Sequence, residues 1–342
     1  MSALGLRGTP RTFLLTVVGL IVAVNAQAQS KTGTTIGAFL LIEPSARVAG
    51  MGNAGVSLDD MDGVWFNPGA LGHIGGPGLQ IAHAEWFADI SYDYFAGALP
   101  LGKWGNAYAS VTSLGSGDID VRTVTHPEGT GERYHVSDVA IAFGYGRQIT
   151  DRFSAGAQIS YVQETIWNTS LSTAVLNIGT LYRVSENGLH LGASLVNFGT
   201  QARYSGSDLR VTFDQDPDRF GDNSQIPAEI FTDQFAVPTL FRVGLGMPVR
   251  LGPTAKLQLA VDAEHPDDNT ESLSAGAELQ YRKLGALRLG WQKAFQQDAE
   301  VGLTAGGGVQ GTLDTFAYRL DYAWAAHGRL GSTHRFALDL NF

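Results

Sequence analysis

From Gly78 to Phe342 the chain consists of segments in which every second side chain is apolar, and a period of two is the signature of β-strands. In Thr254–Glu264, Ala255, Leu257, Leu259, Val261 and Ala263 share one face. Thr254, Lys256, Gln258, Asp262 and Glu264 share the other, where Ala260 is the one apolar residue. Leu313–Trp324 sets Phe316, Tyr318, Leu320, Tyr322 and Trp324 against Thr315, Arg319 and Asp321. Glu271–Arg282 sets Leu273, Ala275, Ala277, Leu279 and Tyr281 against Ser272, Ser274, Glu278, Gln280 and Arg282. In Phe153–Glu164 the same split separates Phe153, Ala155, Ala157, Ile159 and Tyr161 from Ser154, Gln158, Ser160 and Glu164. A soluble sandwich also alternates, with its apolar face inward, so alternation alone leaves the direction of each face open.

Strand count and connection lengths separate the two architectures. The pattern predicts fourteen strands, at 78–84, 91–100, 103–113, 136–149, 152–165, 173–183, 188–197, 236–250, 254–264, 271–282, 285–293, 300–309, 313–325 and 334–342. The number is even, and most segments approach the ~9–11 residues of a tilted membrane strand. Tight turns fall at Pro100–Lys103, Thr150-Asp151, Ser185–Gly188, Leu251–Pro253, Lys283–Gly285 and Gln310–Thr312. Longer connections, at 85–90, 114–135, 166–172, 198–235, 265–270, 294–299 and 326–333, alternate with them. Short turns on one side and long loops on the other belong to an outer-membrane barrel, with the turns in the periplasm. The even count then places both termini on the turn side.

The two ends agree with export to that membrane. Arg7 and Arg11 precede an apolar run, Phe13–Val24, and Ala26-Gln27-Ala28 has the small-x-small form of a cleavage site, so residues 1–28 read as a signal peptide cut after Ala28. No later stretch has the roughly 20 apolar residues of a membrane helix. Without the leader, 21 basic residues face 33 acidic ones, a balance that excludes nucleic acid as a partner. There is no cysteine, hence no disulfide framework or thiolate metal site. At the other end, Phe336, Leu338, Leu340 and Phe342 alternate to the last residue.

Motifs for chemistry are sparse. The eight histidines include no H-E-x-x-H, and neither a nucleophile elbow nor a P-loop occurs. Asp214-Gln215-Asp216-Pro217-Asp218, with Asp222 following, lacks the EF-hand spacing and reads as a solvated loop, as does Asp267-Asp268. The polar faces of the strands contribute Lys256, Asp262, Glu264, Glu278, Arg282, Arg288, Arg319 and Asp321 to the expected lumen, either as a salt-bridged filling or as the lining of a passage. The longest connection, 198–235, contains Ile226–Phe235 (IPAEIFTDQF), which can fold over the mouth or meet a partner. Gly50-Met51-Gly52-Asn53-Ala54-Gly55 matches G-x-G-x-x-G. No strand-helix-strand unit surrounds it, so it does not predict a dinucleotide site, and no cofactor is expected.

That glycine block lies in a longer stretch that carries a resemblance. Glu43-Pro44-Ser45-Ala46-Arg47, Ala49–Gly55, Asp59-Asp60 and Trp65-Phe66-Asn67-Pro68 are similar to the PorV/PorQ family of outer-membrane proteins, barrels related in fold to FadL-type transporters of hydrophobic compounds. Asn197-Phe198-Gly199 and Val237–Gly244 extend the resemblance, while Gly69 stands where the family usually has Ala. The resemblance implies an all-β fold: a 14-stranded antiparallel transmembrane barrel over 78–342, with a small helical or irregular plug at 29–77. The last strand resembles the segment by which the barrel assembly machinery recognises such proteins. Outer-membrane lipid is then a partner, and a secretion translocon or its cargo becomes one if the protein serves type IX secretion or surface attachment. A FadL-like passive transporter of hydrophobic molecules is the alternative, and an enzyme a distant third.

Within a plug, Ala46, Ala49, Gly50, Gly52, Ala54 and Gly55 would let backbone lie against the wall. Asp59, Asp60 and Asp62 would cap a short helix that Asn67-Pro68 stops. Arg47 would pair with a lumen carboxylate, Asp262, Glu278 or Asp321.

Overall fold

The structure, a computed structural model, describes residues 33–342 apart from 186–187, 217, 220, 222–224, 283 and 297–298. The signal peptide, together with Pro217 and Asp222, lies outside the described residues. Fourteen long strands form the wall: β1 (Gly78–Glu85), β2 (Ser91–Pro100), β3 (Asn106–Gly115), β4 (Val136–Thr150), β5 (Phe153–Ile166), β6 (Thr169–Arg183) and β7 (His190–Gly199). They continue with β8 (Leu240–Leu251), β9 (Ala255–Pro266), β10 (Ser272–Tyr281), β11 (Gly285–Ala294), β12 (Leu303–Leu313), β13 (Phe316–Ala326) and β14 (Ser332–Asn341). Each pairs antiparallel with its neighbour. β1 meets β14 from Gly78↔Asn341 to Glu85↔His334, and this seam closes the sheet into a barrel without an edge.

The direction of the faces is now settled. In β9, Gln258, Ala260, Asp262 and Glu264 are buried and Leu259, Val261 and Ala263 exposed, so the polar face turns inward. Ile81, Phe95, Phe143, Ile159, Leu289 and Phe336 are among the large apolar side chains exposed on the outer wall. An apolar exterior around a polar interior fits lipid outside, and the barrel is of the bacterial outer-membrane type. Phe336, Leu338, Leu340 and Phe342 all belong to this outer surface.

Several sequence expectations shift. β6 begins at Thr169, because its pairing with β5 continues to Ile166↔Thr169, so only Trp167-Asn168 remain of the expected long loop. β12 runs through Gln310–Thr312 to Leu313, and the turn falls at Asp314, which adopts φ 47°. Connection 116–135 contains a two-residue hairpin, Ile119-Asp120 with Arg133-Tyr134. Connection 200–239 contains a longer one, Arg210–Phe213 with Ile226–Glu229, beyond which Ala202 bridges to Phe235. Besides a register shift at Gln148/Thr150 near the end of β4, two bulges interrupt the wall. In β7 the pairing jumps from Leu176↔Phe198 to Ile178↔Leu195, and Asn197 takes φ 59°, a conformation Asn tolerates. In β11 it jumps from Leu273↔Ala294 to Ala275↔Trp291, with Lys293 at φ 50°.

The largest correction concerns the N-terminal segment. β1 starts and β14 ends on the turn side, as expected, but residues 33–42 lie on the loop side. Thr35 bridges to Ala236, ahead of β8, and its hydroxyl donates to Asp268 beyond β9 at 3.2 Å. From there the chain descends inside the barrel through a 3-10 turn at Ala38–Leu41, α1 (Ala46–Gly50), α2 (Met61–Val64) and a second 3-10 turn at Pro68–His73. It reaches the turn side at Pro77, whose carbonyl accepts from Phe342 N at 2.9 Å.

What seats this plug is the absence of side chains on the wall. On the inner face, cross-strand neighbours Gly146, Gly156 and Gly179 span β4–β6, Gly192 and Gly244 join β7 to β8, and Gly246, Ala260, Gly276 and Gly290 span β8–β11. A Cβ on Gly156 would stand 2.1 Å from Pro68 O, on Gly192 2.1 Å from Val56 O, and on Gly276 2.0 Å from Met51 O. The plug backbone therefore lies directly on bare wall backbone. Gly276→Val should cost more than the roughly 1–3 kcal/mol of ordinary overpacking, because backbone on both sides must yield. The expected outcome is a barrel whose segment 33–77 is cut by protease and whose heat-induced mobility shift occurs at lower temperature. Gly307→Val, on the outer wall where a Cβ meets nothing closer than 3.6 Å, should leave both unchanged.

Candidate functional site: a plugged lumen with a cavity above it

α1 starts at Ser45, whose side chain accepts from Val48 N at 3.2 Å and so satisfies one of the free donors of the first turn. That short helix aims Arg47 across the lumen. Its Nε and Nη2 each lie 2.9 Å from a carboxylate oxygen of Glu278 on β10, a two-pronged pair. Of the three carboxylates considered from sequence, Glu278 is the direct partner; Asp262 and Asp321 are not. Arg47 Nη1 also reaches Asp60 and, at 3.1 Å, Asp62.

The pair belongs to a larger network. Glu278 binds Arg288 at 2.7 Å, Arg288 meets Asp321 at 2.7 Å, and Asp321 binds Arg319 at 2.7 Å. Arg319 returns to the plug at Asp62 and also binds Asp339 at 2.9 Å. Asp62 further accepts from Ser45 at 2.6 Å and from Gln80 at 2.8 Å. Glu278, Arg288, Arg319 and Asp321 thus form the salt-bridged filling that was one of the two readings of the lining. Asp60 stands at the N-cap position of α2 and Asp62 in its first turn, but no side chain caps the helix, and both carboxylates are drawn to Arg47.

Other predicted residues have different places. Asp262 accepts from Val56 N at 2.8 Å, and Glu264 binds Arg242 at 3.2 Å. Lys256 is on the inner face but exposed near the turn-side end of β9. Arg282 leaves the lumen altogether: it follows β10 in a turn at φ 49° with its guanidinium over the Tyr281 ring. Gly50 packs on Gly306, Gly52 sits at φ 67° against Ala275 and Trp291, and Gly55 lies under the Phe66 ring. Met51 and Ala54 pack on Ala260, and Asn53 donates to Gln292 at 3.3 Å. Asn67 donates to Val56 O and Thr180 O at 2.9 Å each and caps the turn that Pro68 begins, through Gly69 N. Asp59 faces the turn-side exit, 3.8 Å from His190, whose ring stacks on His73 with centroids 6.5 Å apart. Burial lowers the His73 pKa.

Above the plug, on the loop side, is a cavity of about 210 Å³. Leu41, Trp65, Phe66, Pro238 and Leu240 supply apolar surface, and Asn53, Arg242, Glu264, Ser272 and Lys293 polar surface. Arg242 lies over the Trp65 and Phe66 rings at 5.1 and 5.3 Å, within cation–π range. Beyond Trp65 and Arg242 is a smaller void of about 30 Å³ with Ser110, Thr112, Gln158, Ser160, Asn177 and Asn197 on its walls. The bulged residues Lys293 and Asn197 line one space each. Ile226–Phe235 divides: Phe235 packs over the mouth on Ile36, Phe39 and Val237, whereas Ile230 and Phe231 are exposed.

Sequence reasoning missed Arg242, Gln80, Arg335 and Asp339, although the last two alternate with Phe336 and Leu338 and so were readable as inward. Arg335 binds Glu43 at 2.6 Å, an ion pair between plug and wall outside that network.

No protein-family model and no curated protein sequence matches the chain. Solved structures share its fold. A Pseudomonas aeruginosa FadL homologue aligns with TM-score 0.53 at 10% identity over 87% of this chain and 98% of its own. The Pseudomonas putida toluene transporter TodX aligns with TM-score 0.54 at 12% identity over 87% and 98%. The Ralstonia pickettii toluene transporter TbuX gives 0.51 at 12% over 87% and 97%. Two of these neighbours are toluene transporters, and at such identity the likeness is one of fold.

Removing one member of a buried charge pair strands the other. Arg47→Ala should therefore destabilise the barrel by about 3–5 kcal/mol, read as a lower temperature of the mobility shift.

Proposed function

We propose that the protein is a passive outer-membrane barrel that takes up small, mainly apolar molecules through the loop-side cavity. The observation that carries this is the wall formed by Leu41, Trp65, Phe66, Pro238 and Leu240 in a space of about 210 Å³. An apolar cavity of about 150 Å³ is enough for benzene, so a monocyclic aromatic fits. The fold shared with two toluene transporters supports this substrate class. Beyond the cavity the lumen is filled by the plug, whose backbone at Met51, Val56 and Pro68 rests on the glycine-lined wall. The strip 33–42 is the lighter barrier, tied by Thr35 to Asp268 and by Ile36 N to Ala236 O.

A second reading has its own observation. The hairpin Arg210–Phe213 with Ile226–Glu229 exposes Val211 and Phe213, and Ile230 and Phe231 follow it. Such a surface favours docking of a protein, and the resemblance to the PorV/PorQ family suggests a type IX secretion translocon or its cargo. The ion-paired plug suits this role as well.

Toluene titrated into the purified barrel should quench tryptophan emission saturably. The quench should disappear in Trp65→Phe, and Leu240→Trp, which fills the cavity, should weaken binding at least tenfold. An unsaturable response, together with a protein that co-purifies with the wild type and is lost in the double variant Phe213→Ser, Phe231→Ser, would favour docking.

A further inference from the structure

A concavity of about 670 Å³ lies not in the lumen but on the outer wall, across β11–β14 and β1. It arises from one missing side chain in a row of outward residues. Leu287, Gly307, Tyr322, Phe336 and His83 are successive cross-strand partners, and Gly307 leaves a gap in the row. Val309, Leu320, Leu338 and Ile81 continue the apolar walls toward the turn side. At its loop-side end the groove reaches polar groups. His83 Nδ1 lies 2.8 Å from Asp93 Oδ1, and the Tyr322 hydroxyl lies 2.8 Å from His334 Nδ1. Both pairs are exposed on the outer wall.

We propose that this groove is a lipid site: it holds one acyl chain of an outer-leaflet lipid, whose headgroup rests against the His83–Asp93 and Tyr322–His334 pairs. The surroundings identify the occupant. The groove is continuous with the lipid-facing wall, and inside a bilayer nothing hydrophobic drives two apolar surfaces together, so shape decides what fills it. A second barrel is convex and bridges a concavity, leaving it void. A flexible chain follows it and gains contacts along both walls. The order of chemistry, apolar toward the turn side and polar at the loop side, matches a lipid of the outer leaflet with its head outward.

Gly307 makes the proposal testable without damage to the fold, because a side chain there points into the groove and meets only Ala286 O at 3.6 Å. The full barrel, stripped of lipid in mild detergent, is titrated with dipalmitoyl phosphatidylethanolamine and read by native mass spectrometry. One lipid should be retained by the wild type. Its occupancy should fall at least tenfold in Gly307→Phe and several-fold in His83→Ala, with the heat-induced mobility shift unchanged in both. Equal retention by wild type and Gly307→Phe would overturn the proposal. So would a wild-type dimer that Gly307→Phe separates into monomers, since the groove would then be an interface between copies.

Discussion

The contact on which the structure depends is backbone on backbone. A barrel wall ordinarily presents side chains to its lumen, and these hold any inserted segment several ångströms away. Here glycine at successive cross-strand positions strips the wall bare where the segment 50–71 lies, and the carbonyls of Met51, Val56 and Pro68 come down onto it. At that distance the plug has no room to slide, and inward polar side chains reach its groups at short range. Ser154 donates to Gly69 O and Ser194 to Phe66 O at 2.8 Å, and Thr304 accepts from Gly52 N at 3.0 Å. Each bond ties a peptide group of the plug to a side chain of the wall, and Gly52 N also donates to Ala49 O at 3.2 Å.

The charges act on the same seat. Arg47, Arg288 and Arg319 face Asp60, Asp62, Glu278, Asp321 and Asp339 in one connected chain that crosses from plug to wall twice. Buried ion pairs add little over a well-packed apolar core, but they are unforgiving of misplacement. A plug shifted by one residue would leave several of these groups without partners. The glycines allow close approach at many registers; the charges select one. The division has a functional side, because the lower lumen is filled and fixed while the space above it is open and mixed in polarity.

Most of the wall was legible in the sequence, because lipid and lumen impose a period of two on every strand. The inward placement of Asp262, Glu264, Glu278, Arg288, Arg319 and Asp321 followed from it, as did the outward Phe336 and Leu340. Errors came where a local rule met a tertiary contact. Arg282 had inward parity but falls one residue past the end of β10, where parity ceases to apply. Asp60 and Asp62 stand where caps belong, yet a buried guanidinium outbids a short helix for their oxygens. The descent of residues 33–77 was not legible, since nothing in a strand pattern says on which side of a sheet the preceding chain begins. The cavity was not legible either: Trp65, Leu240 and Lys293 are far apart in sequence and meet only after the cylinder has closed.

That descent has a consequence for the order of events in folding. The segment touches strands from β1, at Gln80, to β14, at Arg335, so it cannot be fitted to a half-made wall and then adjusted. Nor does it have an easy route into a finished cylinder whose bore it fills. The sheet has to curl around it, and the seam between β1 and β14 has to zip last, over a core already laid down. The strand that leads to the C-terminal Phe342 is one side of that seam, so its pairing with β1 seals the barrel over the segment it encloses.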